Sequence, residues 1–390
     1  MVINMKAIVL SGGGAKGSYQ IGFWKAIRKL NIDFDVITGT SVGALNGALM
    51  IQDSYKDALK LWKNISYKGI LKDDIDVEEI KKTYVKYALK GGIEPTNLHE
   101  MMEDIIDEEK IRNSNINYGL VTVKFPSMKK MELEKKDIPK GKFAEYLMAS
   151  SACFPFFEDK EINGTSYIDG GYYDNLPINL AIKLGATEII AVDLEAIGFK
   201  RSVKNKVVDI KYISPKSDIG GILEFESDIA IRNIRYGYND TMKAFDKLDG
   251  NKYTFRKNSL EKNYKKYKNK FINVIKENLS NADKSIKSIL SISVIKNILD
   301  DDDKEIHNLL NEIVEKIGQK YNIDDSYIYR IGKFNRIMLK KFLDSNDKLN
   351  KLCEKIENNN SDIYDFMILD IDEYLMAVYL YILKKRKFML

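Results

Sequence analysis

Val36-Ile37-Thr38-Gly39-Thr40-Ser41-Val42-Gly43-Ala44-Leu45-Asn46-Gly47-Ala48-Leu49 decides how the rest of this chain is read. A short β-branched run stops at Gly-Thr-Ser-Val-Gly, and a small-residue, helix-competent run begins at once. The pattern predicts a strand, a sharp turn and a helix, with Ser41 at the turn. Gly39 and Gly43 flank the serine at the spacing such a turn requires, because strand and helix backbones pass too close for side chains. The hydroxyl then stands over the unpaired N–H groups that open the helix.

Working outward, Lys6 to Leu10 reads as a buried strand and is followed by Ser11-Gly12-Gly13-Gly14-Ala15-Lys16-Gly17-Ser18. Tyr19, Phe23, Ile27 and Leu30 then mark the apolar stripe of a helix. Strand, glycine loop, helix and strand within about forty residues make a βαβ unit. Its right-handed crossover places both turns at the carboxyl end of a parallel sheet, so the glycine loop and Ser41 are expected to be neighbours.

The chain has 390 residues, 44% of them hydrophobic, enough for a substantial core and for two domains. The net charge of +5 is spread along the chain, and no DNA- or RNA-binding motif accompanies it, so no nucleic-acid partner is expected. Cys153 and Cys353 suit neither a disulfide framework nor zinc-ligand spacing. A reducing compartment is the expected home. The first residues lack the apolar stretch of a signal peptide, and no window has the roughly 20 apolar residues of a spanning helix. The expectation is a cytoplasmic protein, at most peripheral to a membrane.

Further along, residues 66–115 are polar and helix-prone, an excursion expected to cover the site. Strands are expected at Tyr118 to Val123, with a hairpin partner near Met131, and at Ser166 to Ile168, Thr187 to Leu194 and Val207 to Ile213. Helices are expected at Phe143 to Ala152, Asn179 to Leu184 and about Phe225 to Leu248. Lys252 to Phe255 reads as a last strand of this alternation. From Asn258 onward glycine and proline nearly vanish, and Leu260, Tyr264, Tyr267, Phe271 and Val274 recur at helical spacing. The expected division is therefore an α/β unit over residues 1–257 and a helical unit over residues 258–390.

Four blocks fall in sequence: Gly12-Gly13-Gly14-Ala15-Lys16-Gly17, Gly39-Thr40-Ser41-Val42-Gly43, Ala149-Ser150-Ser151-Ala152-Cys153-Phe154-Pro155, and Asp169-Gly170-Gly171. Together they resemble the patatin-like phospholipase family over roughly residues 5 to 257. Asp174-Asn175-Leu176-Pro177 looks like the family's continuation. The resemblance implies a three-layer α/β sandwich around a mainly parallel sheet. It also implies a lipid acyl hydrolase of phospholipase A, lysophospholipase or esterase type, with Ser41 as nucleophile and Asp169 as base. Phospholipid or another lipid ester is the implied substrate, and no metal or other cofactor is implied.

The residues support parts of this independently. His99 lies in the polar excursion and His307 in the helical tail, so neither ends a strand where a triad base would stand. An unperturbed aspartate is a feeble base for a hydroxyl, so Asp169 is expected in an enclosed, mostly apolar site that raises its basicity. Asp174 is the substitute to test next. Gly12, Gly13 and Gly14 can bring bare backbone N–H groups to a developing oxyanion, with family support greatest for Gly13 and Gly14. Lys16, Gly17, Gly39, Gly43, Gly170 and Gly171 are expected as supporting positions, Lys16 by stabilising the loop or meeting a lipid phosphate.

Other readings compete. Gly12-x-Gly14-x-x-Gly17 after a strand also fits a dinucleotide fingerprint, with Asp35 as the ribose carboxylate, although Asp35 opens its strand rather than ending it. The fold could instead serve as a lipid-binding or interaction protein with vestigial catalysis. Cys153 reads as a small buried hydrophobe, and the basic helix near Asn263 to Lys276 as a packed helix with a solvated outer face.

Overall fold

Strands buried on both faces need apolar side chains at every position, and the first unit is built on such strands. The computed structural model describes residues 4–71, 92–204, 207–280, 282, 284, 294–358 and 360–387. It divides into two compact units, Met1–Ala244 and Phe245–Leu390. In the first, the order is β1 (Lys6–Leu10), α1 (Ser18–Lys29), β2 (Val36–Thr40), α2 (Val42–Ile51), α3 (Tyr55–Lys63), α4 (Thr96–Ile105) and α5 (Glu108–Asn113). There follow β3 (Asn117–Phe125), β4 (Lys129–Glu134), α6 (Phe143–Ser150), β5 (Lys160–Ile162), β6 (Thr165–Asp169), α7 (Ile178–Lys183), β7 (Glu188–Val192), β8 (Asp209–Ile213) and α8 (Ser227–Ala244).

β3, β2, β1, β7 and β8 lie side by side and parallel. Ala7, Val9, Val36, Ile189 and Ala191 face one way and pack against Ile178 and Ala181 of α7. On the other face α2 lies so close that a methyl group added at Gly47 would stand 2.9 Å from Ile37 Cγ2. Helices on both faces make the three layers, as the sequence leads one to expect.

Two strands, β4 and β6, run against these five, β5 pairs antiparallel with β6, and β6 positions the site. β4 pairs with β3 over Gly119–Lys124, while β2 pairs with β3 over Asn117–Val121. Because these spans overlap, β4 and β2 occupy opposite edges of β3. β6 pairs with β3 over Thr122–Phe125, overlapping β4, so it shares the β2 edge. β6 therefore continues the line of β2 from the opposite direction. Thr40 pairs with Val121 and Asp169 with Thr122, so the two strand ends meet on successive residues of β3.

The second unit holds β9 (Leu248–Asp249), β10 (Thr254–Arg256), α9 (Ser259–Ser280), α10 (Val294–Leu299), α11 (Asp303–Lys320), β11 (Ile328–Tyr329), α12 (Ile331–Ser345), α13 (Lys348–Glu357), α14 (Ile363–Leu369) and α15 (Ile371–Lys387). β10 pairs with β9 and β11 in a separate three-stranded sheet, so the strand expected to close the α/β alternation belongs to this unit instead. The expected division at 257/258 accordingly falls inside the second unit. Leu260, Tyr264, Tyr267 and Phe271 of α9 are buried at the expected spacing. A buried polar knot pins this core, with Asn263 Nδ2 donating to Tyr379 Oη at 2.9 Å and Asn335 Nδ2 donating to Asn263 Oδ1 at 3.0 Å. Asp302, third in the run Asp300-Asp301-Asp302-Asp303, caps α11 by accepting from the Lys304 and Glu305 N–H groups.

α1 and α8 cross on the face that carries α2, joined by the Tyr19 hydroxyl donating to Asp240 at 3.0 Å. The crossing is set by bare backbone, since a Cβ on Gly237 would stand 1.9 Å from the Tyr19 carbonyl oxygen. Gly237→Ala must push the helices apart, and the expected loss is about 1–3 kcal/mol of unfolding free energy, read by urea denaturation.

Candidate active site

Ser41 sits between β2 and α2 with φ 55° and ψ −130°, a backbone conformation that costs an L residue free energy and persists only when its neighbours enforce it. The enforcement is visible. The Ser41 N–H donates to Ser150 Oγ at 2.9 Å, and Ser150 Oγ in turn donates to the Val121 carbonyl at 2.7 Å. On the helix side, Gly43 packs against the end of β1, where a Cβ would stand 2.3 Å from the Leu10 carbonyl oxygen. The expected sharp turn is there, and Gly39 and Gly43 are the positions that let strand and helix close on each other.

Asp169, the last residue of β6, is 6% exposed; its carboxylate accepts from the Gly171 N–H at 2.7 Å, and the Ser41 hydroxyl acts on it as a second nearby donor. Burial raises this carboxyl to about 6 against the lowering pull of those two donors. Its own N–H donates to the Ala152 carbonyl at 2.8 Å, tying it to the chain just beyond α6. Gly170 lies against the Val121 carbonyl, and Gly171 supplies the N–H just described.

The glycine loop lies across the same space, as its place in the βαβ unit requires. Gly13 and Gly14 line the cavity that contains Ser41 and Asp169. Among the described residues, their N–H groups have no hydrogen-bond partner, whereas the Gly12 N–H donates to the Asn175 carbonyl at 3.1 Å. Of the three N–H groups expected to face an oxyanion, that of Gly12 is thus engaged by Asn175 and anchors the loop beside Ser41, while those of Gly13 and Gly14 are not. Lys16 is half-buried, and its side chain is not part of the cavity wall, so the structure does not bring it to Ser41. Gly17 abuts Val42 and Trp62, and its carbonyl accepts from Asn46 Nδ2 at 3.1 Å.

The cavity has a volume of about 790 Å³. Its walls are largely apolar, with Leu45 and Leu49 from α2, Trp62 from α3, Met102 from α4, and Phe154 and Phe156 from the segment after α6. Residues 67, 70, 98, 101 and 102 of the polar excursion thus face the site, as anticipated, while residues 72–91 of it lie outside the described residues. Cys153 also lines the cavity, and burial together with the Asp169 charge pushes its thiol up to about 12. It is therefore a poor nucleophile.

Other expected residues fall elsewhere. Asp174 does not line the cavity; its carboxylate accepts from the Leu176 N–H at 3.3 Å and the Arg201 N–H at 3.4 Å, closing a turn. His99 pairs with Lys160 and Glu103, and His307 packs edge-on against Tyr264; neither lines the cavity. Asp35 lies at the amino end of β2, bonded to the Lys6 N–H at 2.9 Å, at the opposite end of the strands from the glycine loop. That separation removes the ribose carboxylate a dinucleotide site would need.

Two contributors were not singled out by role in the sequence. Ser150 belongs to one of the four blocks, but its bond to the Ser41 N–H depends on where α6 docks. Asn175 holds the Gly12 N–H through its carbonyl and receives no distinguishing mark from its residue type alone.

Residues 8–182 match the family model described as patatin-like phospholipase. Patatin-like phospholipase domain-containing protein 7 of Rattus norvegicus is 28% identical over 197 residues, which is 49% of this chain and 14% of that protein. Lysophospholipase nte1 of Aspergillus terreus is 30% identical over 195 residues, 49% of this chain and 12% of that protein. The chain therefore matches only a small part of the length of these curated relatives. Among solved structures, VipD from Legionella pneumophila aligns with 99% of this chain and 88% of its own at 14% identity and a TM-score of 0.38.

The raised carboxyl makes a stability prediction. In an unfolded chain Asp169 titrates near 3.9, so folding favours its protonated form. Below about pH 4 both states hold the proton and nothing is lost. Between about pH 4 and 6 the unfolded chain releases it first, and the fold loses roughly 2–3 kcal/mol, constant above that range. Asp169→Asn should therefore stabilise the protein by up to that amount near pH 8, with the gain fading toward pH 4, as read from urea midpoints.

Proposed function

Since residues 8–182 match the family model described as patatin-like phospholipase, we propose that this chain hydrolyses lipid acyl esters through an acyl-Ser41 intermediate. The observation that carries the reading is that Ser41 and a buried, basicity-raised Asp169 line one largely apolar cavity, with the Ser41 hydroxyl acting on that carboxylate.

In the proposed reaction the Ser41 oxygen attacks the ester carbonyl carbon while Asp169 takes its proton. The negative charge that develops on the carbonyl oxygen is met by the Gly13 and Gly14 N–H groups. Donors of this kind are typically worth about a hundred- to thousand-fold in rate each. The bond from carbonyl carbon to alkoxy oxygen then breaks, and Asp169 returns the proton to the departing alcohol. Water attacks the acyl-serine, giving its proton to Asp169. The acyl–serine bond breaks, the serine oxygen regains that proton, and the fatty acid leaves. The strained Ser41 backbone and its position at the start of α2 keep the oxygen presented throughout.

The Aspergillus terreus relative is named a lysophospholipase, which makes lysophospholipids the first substrates to assay, beside diacyl phospholipids and short-chain soluble esters. Ser41→Ala should lower hydrolysis at least about a thousandfold. Loss of fluorophosphonate labelling in that variant is the companion result. Asp169→Asn should lower it at least about a hundredfold. The parent's rate should rise with pH through about 6 as Asp169 loses its proton and level off above. An unlabelled Ser41 in folded protein would overturn the reading in favour of a binding protein.

A further inference from the structure

Large apolar side chains stand in water at the rim of the Ser41 cavity. Ile197 is 94% exposed and Phe199 64%, and both belong to the cavity wall. They are held on fixed backbone. The Phe199 N–H donates to the Gly171 carbonyl at 2.9 Å, and its carbonyl accepts from the Asn175 N–H at 2.5 Å. The loop is thus pinned to the turn that follows Asp169, so little ordering remains to be done when it meets a partner. The tip of the β3–β4 hairpin adds Met128, 50% exposed.

Cations accompany these side chains. Lys200, Arg201 and Lys204 follow Phe199, and Lys129 and Lys130 follow Met128. Tyr173 brings the two groups together, since Lys130 Nζ donates to its hydroxyl at 2.9 Å and the Arg201 guanidinium lies 4.4 Å from its ring centroid. The acids in the same loop and strand are Asp193, Glu195, Glu132 and Glu134. Asp193 is taken by Lys200 and Glu134 by Lys136, each at 2.6 Å, and among the described residues Lys129 and Lys204 have no acidic partner.

Exposed apolar side chains ringed by cations complement a surface that is apolar inside and anionic outside. We propose that this edge docks on an anionic lipid bilayer. Ile197 and Phe199 enter the acyl region, and Lys129, Lys130, Arg201 and Lys204 meet the headgroups. The proposal rests on the reading of the Ser41 cavity as a lipid-hydrolase site and adds how the substrate reaches it. An acyl chain that slides from the bilayer past Ile197 and Phe199 never exposes its methylenes to water.

The test measures co-sedimentation of full-length Ser41→Ala protein, which cannot consume the lipid, with vesicles of mixed phosphatidylcholine and phosphatidylserine or of phosphatidylcholine alone. Preferential binding to the mixed vesicles is expected. Adding Ile197→Ser and Phe199→Ser should weaken it about tenfold or more. Adding Lys129→Glu and Lys204→Glu should weaken binding to the mixed vesicles about tenfold or more and leave phosphatidylcholine binding unchanged. In the Ser41-containing protein this charge pair should leave short-chain ester hydrolysis unaltered, with circular dichroism and thermal melts certifying the fold. Equal binding by all folded variants, or no binding by the parent, overturns the proposal. Self-association that disappears with Ile197→Ser and Phe199→Ser would overturn it too, assigning the patch to a second copy. Vesicle binding without ester hydrolysis would sink the hydrolase reading and leave docking standing, whereas hydrolysis without vesicle binding would do the reverse.

Discussion

The site depends on one edge of β3. Val121 pairs with Thr40 and Thr122 with Asp169, so a parallel strand and an antiparallel strand end against each other on adjacent residues. Strands on one edge of a shared neighbour are held in line by its ladder, and successive residues on β3 are only about 3.3 Å apart. Ser41 follows Thr40 directly, which is why its hydroxyl reaches a carboxylate that lies 128 residues later in the chain. Thr122 reinforces the joint, its hydroxyl meeting the carbonyls of Ile168 at 2.9 Å and Ala149 at 3.1 Å. α6 is fastened at the same place, and through Ser150 it fixes the Ser41 backbone.

This arrangement places a carboxylate where solvent would otherwise stabilise its charge. Desolvation outweighs the two nearby donors that favour the ionised form, so the fold carries a penalty at neutral pH that an uncharged residue would not incur. Strain at Ser41 adds to it. Both costs fall at the proposed reacting groups, and the well-packed sheet beneath them supplies the offset, with β1, β2 and β7 almost wholly buried. A local conflict of this kind, inside an otherwise consistent fold, is where function is expected to sit.

The backbone around the site is fastened from several elements. Asn175 ties the turn after Asp169 to Gly12 and to Phe199, so the glycine loop, the Asp169 turn and the rim of the cavity share one anchor. Asn46 of α2 bridges Gly17, Gln20 and Trp62, bracing the other end of the glycine loop. Neither residue carries a charge; each works by satisfying backbone groups that would otherwise be buried without partners.

Local pattern was sufficient for what depends on neighbours in the chain. The strand, turn and helix around Ser41, the βαβ unit, the helical second unit and the order of the four blocks are all set by side-chain period, glycine placement and short-range sterics, and the sequence displays them. Long-range pairing was not legible. That β6 would run antiparallel in line with β2, that Asn175 would occupy the Gly12 N–H, that Asp174 would turn away, and that Thr254–Arg256 would join the second unit are all choices among partners far apart in the chain. Backbone hydrogen bonds between strands carry no residue code, so the sequence by itself determined which segments and chemical groups were available. Only the packed sheet decided which of them meet.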